Sequence, residues 1–233
     1  MKTLIVDYRI SELEKFTLNS LGYNLLSCPK NSNLYKAIDG HPDILLHPIS
    51  ENKEIIVHKD ISCDFIRTLQ NLNYKVLKTN NSLSDAYPKD IILNALNLKN
   101  IFLHKLDCTD PSLLEKVYNK KLLNTKQGYT KCSTAIVKST AIMTSDVSIA
   151  KLLYAENIDV LLLPPKHIKL PHLDYGFIGG TCGLIDENLL AFFGDLECYP
   201  FKYEVKSFLK KHKVDYLSLG EGPLTDRGSI FHI

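Results

Sequence analysis

The chain has 233 residues, 45% hydrophobic and 23% charged, enough to bury a substantial core and too apolar for a disordered chain. Its 28 lysines and arginines against 26 aspartates and glutamates leave a net charge of +2, no field for holding nucleic acid or an anionic membrane. The opening MKTLIVDYRI carries only Leu4, Ile5 and Val6 in a row, too short for a signal-peptide core, and no segment reaches the ~18 apolar residues of a membrane span, so a cytoplasmic location is expected.

In chain order, KTLIVD predicts a strand, Ser11 with Glu14 three residues on predicts a capped helix, Gly22 stops it, and YNLLSC predicts a second strand. From residue 43, DILLHPISENKEIIVHK predicts a hairpin of strands over 43–49 and 54–58 with a turn at 51–53. Phe65, Ile66, Leu69 and Leu72 then share one helical face, and 74–77 reads as a third strand. From residue 90, DIILNALNLKNIFLHK repeats the plan: strands over 90–96 and 101–104, a helix opened by Asp110 and Pro111, and a strand over 121–123. Two further copies lie at 132–164 and 180–219.

Each copy is strand, strand, helix, strand, and the period of about 47 residues is one at which no unit buries its apolar face alone. The first unit, 1–29, lacks a leading strand, and GSIFHI at 228–233 has the character of one. Strands joined through a helix run parallel, with a right-handed crossover. The expectation is an α/β fold in a single domain over 1–233. Its units, 1–29 plus 228–233, 43–78, 90–123, 132–164 and 180–219, are five ββαβ repeats in a closed pseudo-fivefold propeller, with the C-terminal strand completing the first repeat.

The six cysteines, Cys28, Cys63, Cys108, Cys132, Cys182 and Cys198, are scattered without a C-x-x-C pair, so free thiols are expected rather than disulfides or a metal site. No cofactor is implied, because GFIGGTCG precedes a strand instead of opening a helix. Loops rich in Gly, Pro and polar residues enter each first strand and gather on one rim, where a site would be built. An acid stands at every junction of second strand and helix: Asp7, Asp60, Asp107, Asp146 and Asp195. These either cap helices or form an acidic rim for a cation such as guanidinium.

The repeat plan, with QGYTKCST (127–134), GFIGGTCGLI (176–185) and PLTDRGSI (223–230), resembles the pentein, or guanidino-group-modifying, fold. Arginine deiminases, agmatine deiminases, amidinotransferases and dimethylarginine hydrolases share that fold, and the three segments are similar to a bacterial family within it. The resemblance implies that His172 and Asp174, in PHLDYGF, are a general acid/base and a carboxylate that grips the substrate, although here they stand in a loop well before the strand. It also implies a nucleophilic cysteine in the last strand segment, which here reads GSIFHI and holds none.

Cys182, behind Gly179 and Gly180, and Cys132 begin first strands of earlier units, and each is expected near the centre. A thiolate there attacks an amidine or amide carbon if Lys131 or His172 lowers its pKa; the plainer alternative is a small apolar packer. His47 and Asn94, at matching places in DILLH and DIILN, contact a central channel or satisfy each other as a buried ladder. Asp226 and Arg227 pair together, or Arg227 holds a ligand carboxylate. One expectation is a cysteine-dependent hydrolase or transferase of a guanidino, amidino or amide C–N bond: Cys182 attacks, His172 moves protons, Asp174 or Asp226 orients the cation, and His47, Asn94, Lys131, Cys132 and Arg227 line the site. The other is a non-catalytic protein that binds a small cationic metabolite or a protein partner.

Overall fold

The computed structural model describes residues 2–49 and 53–233. Strand β1 (Thr3–Asp7) is buried along its whole length, and helix α1 (Glu12–Ser20) follows. The capping box read from the sequence is present: the Glu14 N–H donates to Ser11 Oγ at 3.2 Å and the Ser11 N–H donates to the Glu14 carboxylate at 2.6 Å. Strand β2 (Asn24–Cys28) pairs parallel with β1. After a loop and a helical turn, α2 (Pro42–Leu45), come β3 (Leu46–Ile49), β4 (Glu54–Val57), α3 (Cys63–Asn71) and β5 (Lys75–Lys78).

The third repeat has β6 (Leu96–Asn97), β7 (Ile101–His104), α4 (Pro111–Lys116) and β8 (Lys121–Asn124). The fourth has β9 (Thr134–Lys138), β10 (Ala141–Thr144), α5 (Val147–Ala155) and β11 (Asp159–Leu162). The fifth has β12 (Cys182–Asp186), β13 (Leu189–Phe192), α6 (Lys202–Lys211) and β14 (Asp215–Ser218), and the chain ends in β15 (Phe231–His232).

Among the described residues these strands make five three-stranded sheets of one design, an antiparallel pair followed by a parallel pair joined through a helix. In the first sheet β15 supplies the antiparallel partner of β1, with Leu4 opposite His232 and Ile5 opposite Phe231, and the Ile233 N–H donates to the Thr3 carbonyl at 2.9 Å. The C-terminal segment therefore docks beside β1 and completes the first repeat, as expected from the leading strand that the first unit lacks.

Two leading strands are shorter than the sequence predicts. Residues 43–45 belong to α2, opened by Pro42 at its first position, and of 90–96 only Leu96 is in a strand. Backbone groups near the centre are bonded elsewhere: the Asp43 N–H goes to the Gly228 carbonyl, the Asp110 N–H to the Ile92 carbonyl, and the Thr130 and Lys131 N–H groups both to the Asn94 carbonyl. Apart from Lys53, the turn predicted at 51–53 lies outside the described residues.

Apolar packing joins neighbouring repeats. One cluster holds Ile5, Ile56 and Phe102 from the first three repeats, a second joins Leu103 to Ile142, a third joins Met143 to Phe192, and a fourth sets Ile185 and Phe193 against Leu4 and Val6. Each fully buried phenylalanine contributes about 2 kcal/mol of transfer free energy, so the contact between the fifth and first repeats belongs to the core itself. Among the described residues no helix is long and apolar enough to cross a membrane.

Candidate active site

The ends of the five leading segments meet in a buried hydrogen-bond network. The Asn94 amide donates to the Asp43 carbonyl at 3.0 Å and to Cys132 Sγ at 3.1 Å, and its oxygen accepts the N–H groups of Lys131 and Cys132. Cys132 Sγ donates to Asp43 Oδ1 at 3.1 Å, and Ser229 Oγ lies 2.6 Å from Asp43 Oδ2 and 2.9 Å from the Gly179 carbonyl. The Gly180 N–H donates to the Cys132 carbonyl. Asp43, Asn94, Cys132, Gly179–Gly180 and Ser229 thus bring all five repeats to one point, here called the hub. Close approach is obligatory: a Cβ on Gly180 would stand 1.9 Å from Asp226 Oδ1, and one on Gly228, whose φ is +70°, would stand 2.3 Å from the Cβ of His41.

His41 comes from the loop between β2 and α2. Arg9 clamps this loop, donating to both oxygens of the buried Asp7 carboxylate and to the carbonyl of Ala37, with Asp39 at 3.3 Å. The His41 N–H then donates to the Ile38 carbonyl. The imidazole is 1% exposed, yet neither ring nitrogen has a hydrogen-bond partner. Nδ1 lies 3.8 Å from Asp226 Oδ1 and Nε2 3.9 Å from Asp7 Oδ2. Donor atoms of His41, Asp43 and Cys132 all fall within 4.8 Å of one another. Imidazole, carboxylate and thiol at that spacing suit a nucleophile with its base, and the same three could take a soft divalent cation.

Two of these three, His41 and Cys132, line a cavity of about 250 Å³. His41, Cys132 and Asp226 lie at its base, Asp174 is at its mouth, and its walls include Tyr35, Tyr129 and Phe177. Tyr129 stacks on Phe177 with centroids 6.0 Å apart, and its hydroxyl donates to Asp90 while meeting that of Tyr35 at 2.9 Å. Asp226 accepts the N–H groups of Phe177 and Gly228, but burial pushes its pKa up, opposed by His41. Burial, reinforced by Asp43 and Asp226, raises the Cys132 thiol well above its ordinary value. Asp7 and Asp39 are met by Arg9, with Lys30 3.8 Å from Asp39. The cavity itself is lined by two carboxylates, Asp174 and Asp226, and by no lysine or arginine, so its lining is acidic.

A second cavity of about 320 Å³ lies on the other side of the hub. Lys131, His47, Asn97, Cys182 and Phe231 line it. Cys182 is buried, its thiol bonded to the Ile178 carbonyl at 3.5 Å and pushed up to about 12 by burial, with Lys131 acting in the opposite sense. His47 Nδ1 meets the Leu93 carbonyl at 3.1 Å and its Nε2 the Asn97 amide at 3.2 Å. Of the residues singled out in the sequence, Cys132, Asp226 and Asp174 therefore share the acidic cavity, Cys182, Lys131 and His47 share the other, and Asn94 lies in the hub.

His172 is exposed, with φ +77°, in a loop that runs beside residues 224–226. Asp226 and Arg227 do not pair; the Arg227 Nε is buried without a partner. All six cysteines are unpaired. Of the five junction acids, Asp146 and Asp195 cap helical turns, while Asp7 serves Arg9 instead. His41, Asp43 and Ser229 went unremarked in the sequence, although the run DGHPD at 39–43 packs three titratable side chains around a glycine and a proline.

The profile of a family of unknown function (DUF6873) matches residues 5–231, and the chain belongs to that family. No curated protein matches it. Among solved structures it is similar to SxtG, an amidinotransferase from Microseira wollei in the saxitoxin biosynthetic pathway, with TM-score 0.58 and 10% identity over 94% of this chain and 88% of that one. It is also similar to DDAH from Pseudomonas aeruginosa complexed with citrulline (TM-score 0.56, 8% identity, 94% and 91% covered). A third likeness is to a C. jejuni agmatine deiminase (TM-score 0.52, 11% identity, 94% and 86% covered). The chain has the pentein fold.

Proposed function

We propose that this member of the family is a thiol-dependent enzyme acting on a C–N bond of a small guanidinium or amidinium compound in the acidic cavity. The observation that carries the proposal is His41, buried with both ring nitrogens unpartnered and within 4.8 Å of the Cys132 thiol, in a cavity lined by two carboxylates and no lysine or arginine. Asp226 and Asp174 hold the cation, and the aromatic walls fit its flat faces. The resting thiol is protonated and donates to Asp43. An arriving cation stabilises the thiolate, and the proton passes to His41. Sγ then bonds to the central carbon, the C–N bond breaks, and the leaving amine takes the proton from His41. Neutral His41 then takes a proton from water or a second amine as it adds to the same carbon, the C–S bond breaks, and the thiolate recovers that proton, giving a hydrolase or a transferase. This places the nucleophile at Cys132 instead of Cys182, and the base at His41 instead of His172.

The test is alkylation with chloroacetamidine, which carries the amidinium charge, against uncharged iodoacetamide. Cys132 should react preferentially with the charged reagent, agmatine should protect it, and Cys132→Ser should abolish the preference. Labelling confined to Cys182, or to the exposed Cys63 and Cys198, would overturn the assignment. The elevated thiol favours a second reading, in which the cavity binds a cationic metabolite without chemistry; agmatine would then raise the melting temperature and release no ammonia.

The same network supports a closed pseudo-fivefold propeller in one domain. The five-repeat hub and the apolar cluster shared by the fifth and first repeats favour it. Deleting residues 230–233 should then lower the melting temperature of the whole molecule in one transition, whereas two separate transitions would argue for independent parts.

A further inference from the structure

We propose that the second cavity, on the Lys131 side of the hub, binds a small monocarboxylate with an apolar tail. The Lys131 side chain enters this cavity from a residue that is 8% exposed. Its ammonium group carries three N–H donors, and the partners around it are Ser229 Oγ at 2.9 Å and the face of Phe231, 5.7 Å to the ring centroid. Among the described residues no carboxylate lies within 4.0 Å of it; the route to Asp43 passes through the Ser229 hydroxyl. A buried ammonium without a carboxylate partner is costly, and it ordinarily holds an anion.

The surroundings favour one negative charge joined to hydrocarbon. Pro48, Ala95, Ile136, Leu184 and Ile230 form apolar walls, and none of the lining side chains is acidic. Asn97 is already engaged, donating to His47 Nε2 and accepting from Lys120. His47 is held down at about 4, chiefly by burial, with Lys120 and Lys131 adding positive field. A single ammonium balances a carboxylate, whereas a phosphate dianion would retain an unmatched charge and face apolar walls. The cavity volume, about 320 Å³, exceeds that of a six-carbon acid. This site stands apart from the chemistry proposed for the acidic cavity, and either can fail without the other.

The test is calorimetric titration of the full chain with 4-methylpentanoate, alongside 4-methylpentan-1-ol and inorganic phosphate. Saturable binding of the carboxylate is expected, with the alcohol and phosphate each at least ~10-fold weaker. Lys131→Met should weaken carboxylate binding at least ~10-fold while leaving the alcohol unchanged. Because Lys131→Met removes a partner of Ser229 and could fail to fold, Ile136→Trp, at a half-buried wall position, fills the cavity by a separate route and should abolish binding of both organic probes. No saturable carboxylate binding, equal affinity for acid and alcohol, or binding that survives both substitutions would each overturn the proposal.

Discussion

The two cavities share the hub and differ in sign. One side presents Asp226, Asp174, His41 and Cys132 between aromatic walls; the other presents Lys131 among aliphatic side chains. Lys131 and Cys132 are neighbours in sequence, yet each lines a different cavity. Both meet Asp43, Cys132 directly at its Oδ1 and Lys131 through Ser229 at its Oδ2. Charge separation across so short a path requires a framework that fixes which side chain faces which way, and the buried hydrogen bonds of the hub provide it. The contrast also separates two thiols, of which the sequence puts Cys182 first as nucleophile. Cys132 lies within reach of an imidazole, and Cys182 lies beside an ammonium and a backbone carbonyl.

The strongest way to break this contrast is at the thiols. Cys132→Ala should reduce amine release from an amidine or guanidine by at least ~10³-fold, while Cys182→Ser should change it less than about twofold. The reverse result, read from the same ammonia assay, would move the chemistry to the Lys131 side. Next is the acid: Asp226→Asn should weaken agmatine binding by about 10–100-fold in a calorimetric titration and leave 4-methylpentanoate binding as it was. Equal losses for both ligands would mean that the two sides are not independent.

The glycines bear on the framework itself. Gly180→Ala pushes a methyl group to 1.9 Å from Asp226 Oδ1, which should cost about 2–3 kcal/mol in chemical denaturation. A neutral result would show that Asp226 has room to withdraw. The smallest effect is in pH dependence. His47 titrates near 4 in the folded protein against an ordinary 6.5, so as pH falls the unfolded chain takes up its proton first. The stability gained from a neutral His47 is complete above 6.5 and is lost between 6.5 and about 4. His58 and His104 are lowered to about 4, also by burial, and act in the same window. His47→Gln should therefore remove up to one proton from the slope of stability against pH there. Asp226 has the opposite sign: burial raises its pKa above 3.8, so charging it costs stability as pH rises, and Asp226→Asn should relieve that cost.

The sheet plan was legible because alternation and helical spacing are local signals, and the repeats restate them. The capping box at Ser11 and Glu14 and the helix opened by Asp110 and Pro111 were read from adjacent residues, and the structure bears them out. The leading strands were overextended at 43–45 and 90–95, because those residues are apolar enough to look like strand while their N–H and C=O groups bond across the hub. Cys132, Asp226 and Asp174 were singled out and do line one cavity. His41 was missed because the loop before α2 has no periodicity and its position depends on the Arg9 clamp, a contact across 28 residues that spacing cannot reveal. Ser229 has no local pattern that sets it apart, because its role depends on Asp43, 186 residues away in the chain.

Asn94 has a consequence beyond its own bonds. One side-chain amide takes the N–H groups of two successive residues with its oxygen and the thiol of the second with its nitrogen. Because one oxygen holds both N–H groups, Asn94 fixes the peptide link between Lys131 and Cys132, and losing that single amide would loosen the ammonium and the sulfur together.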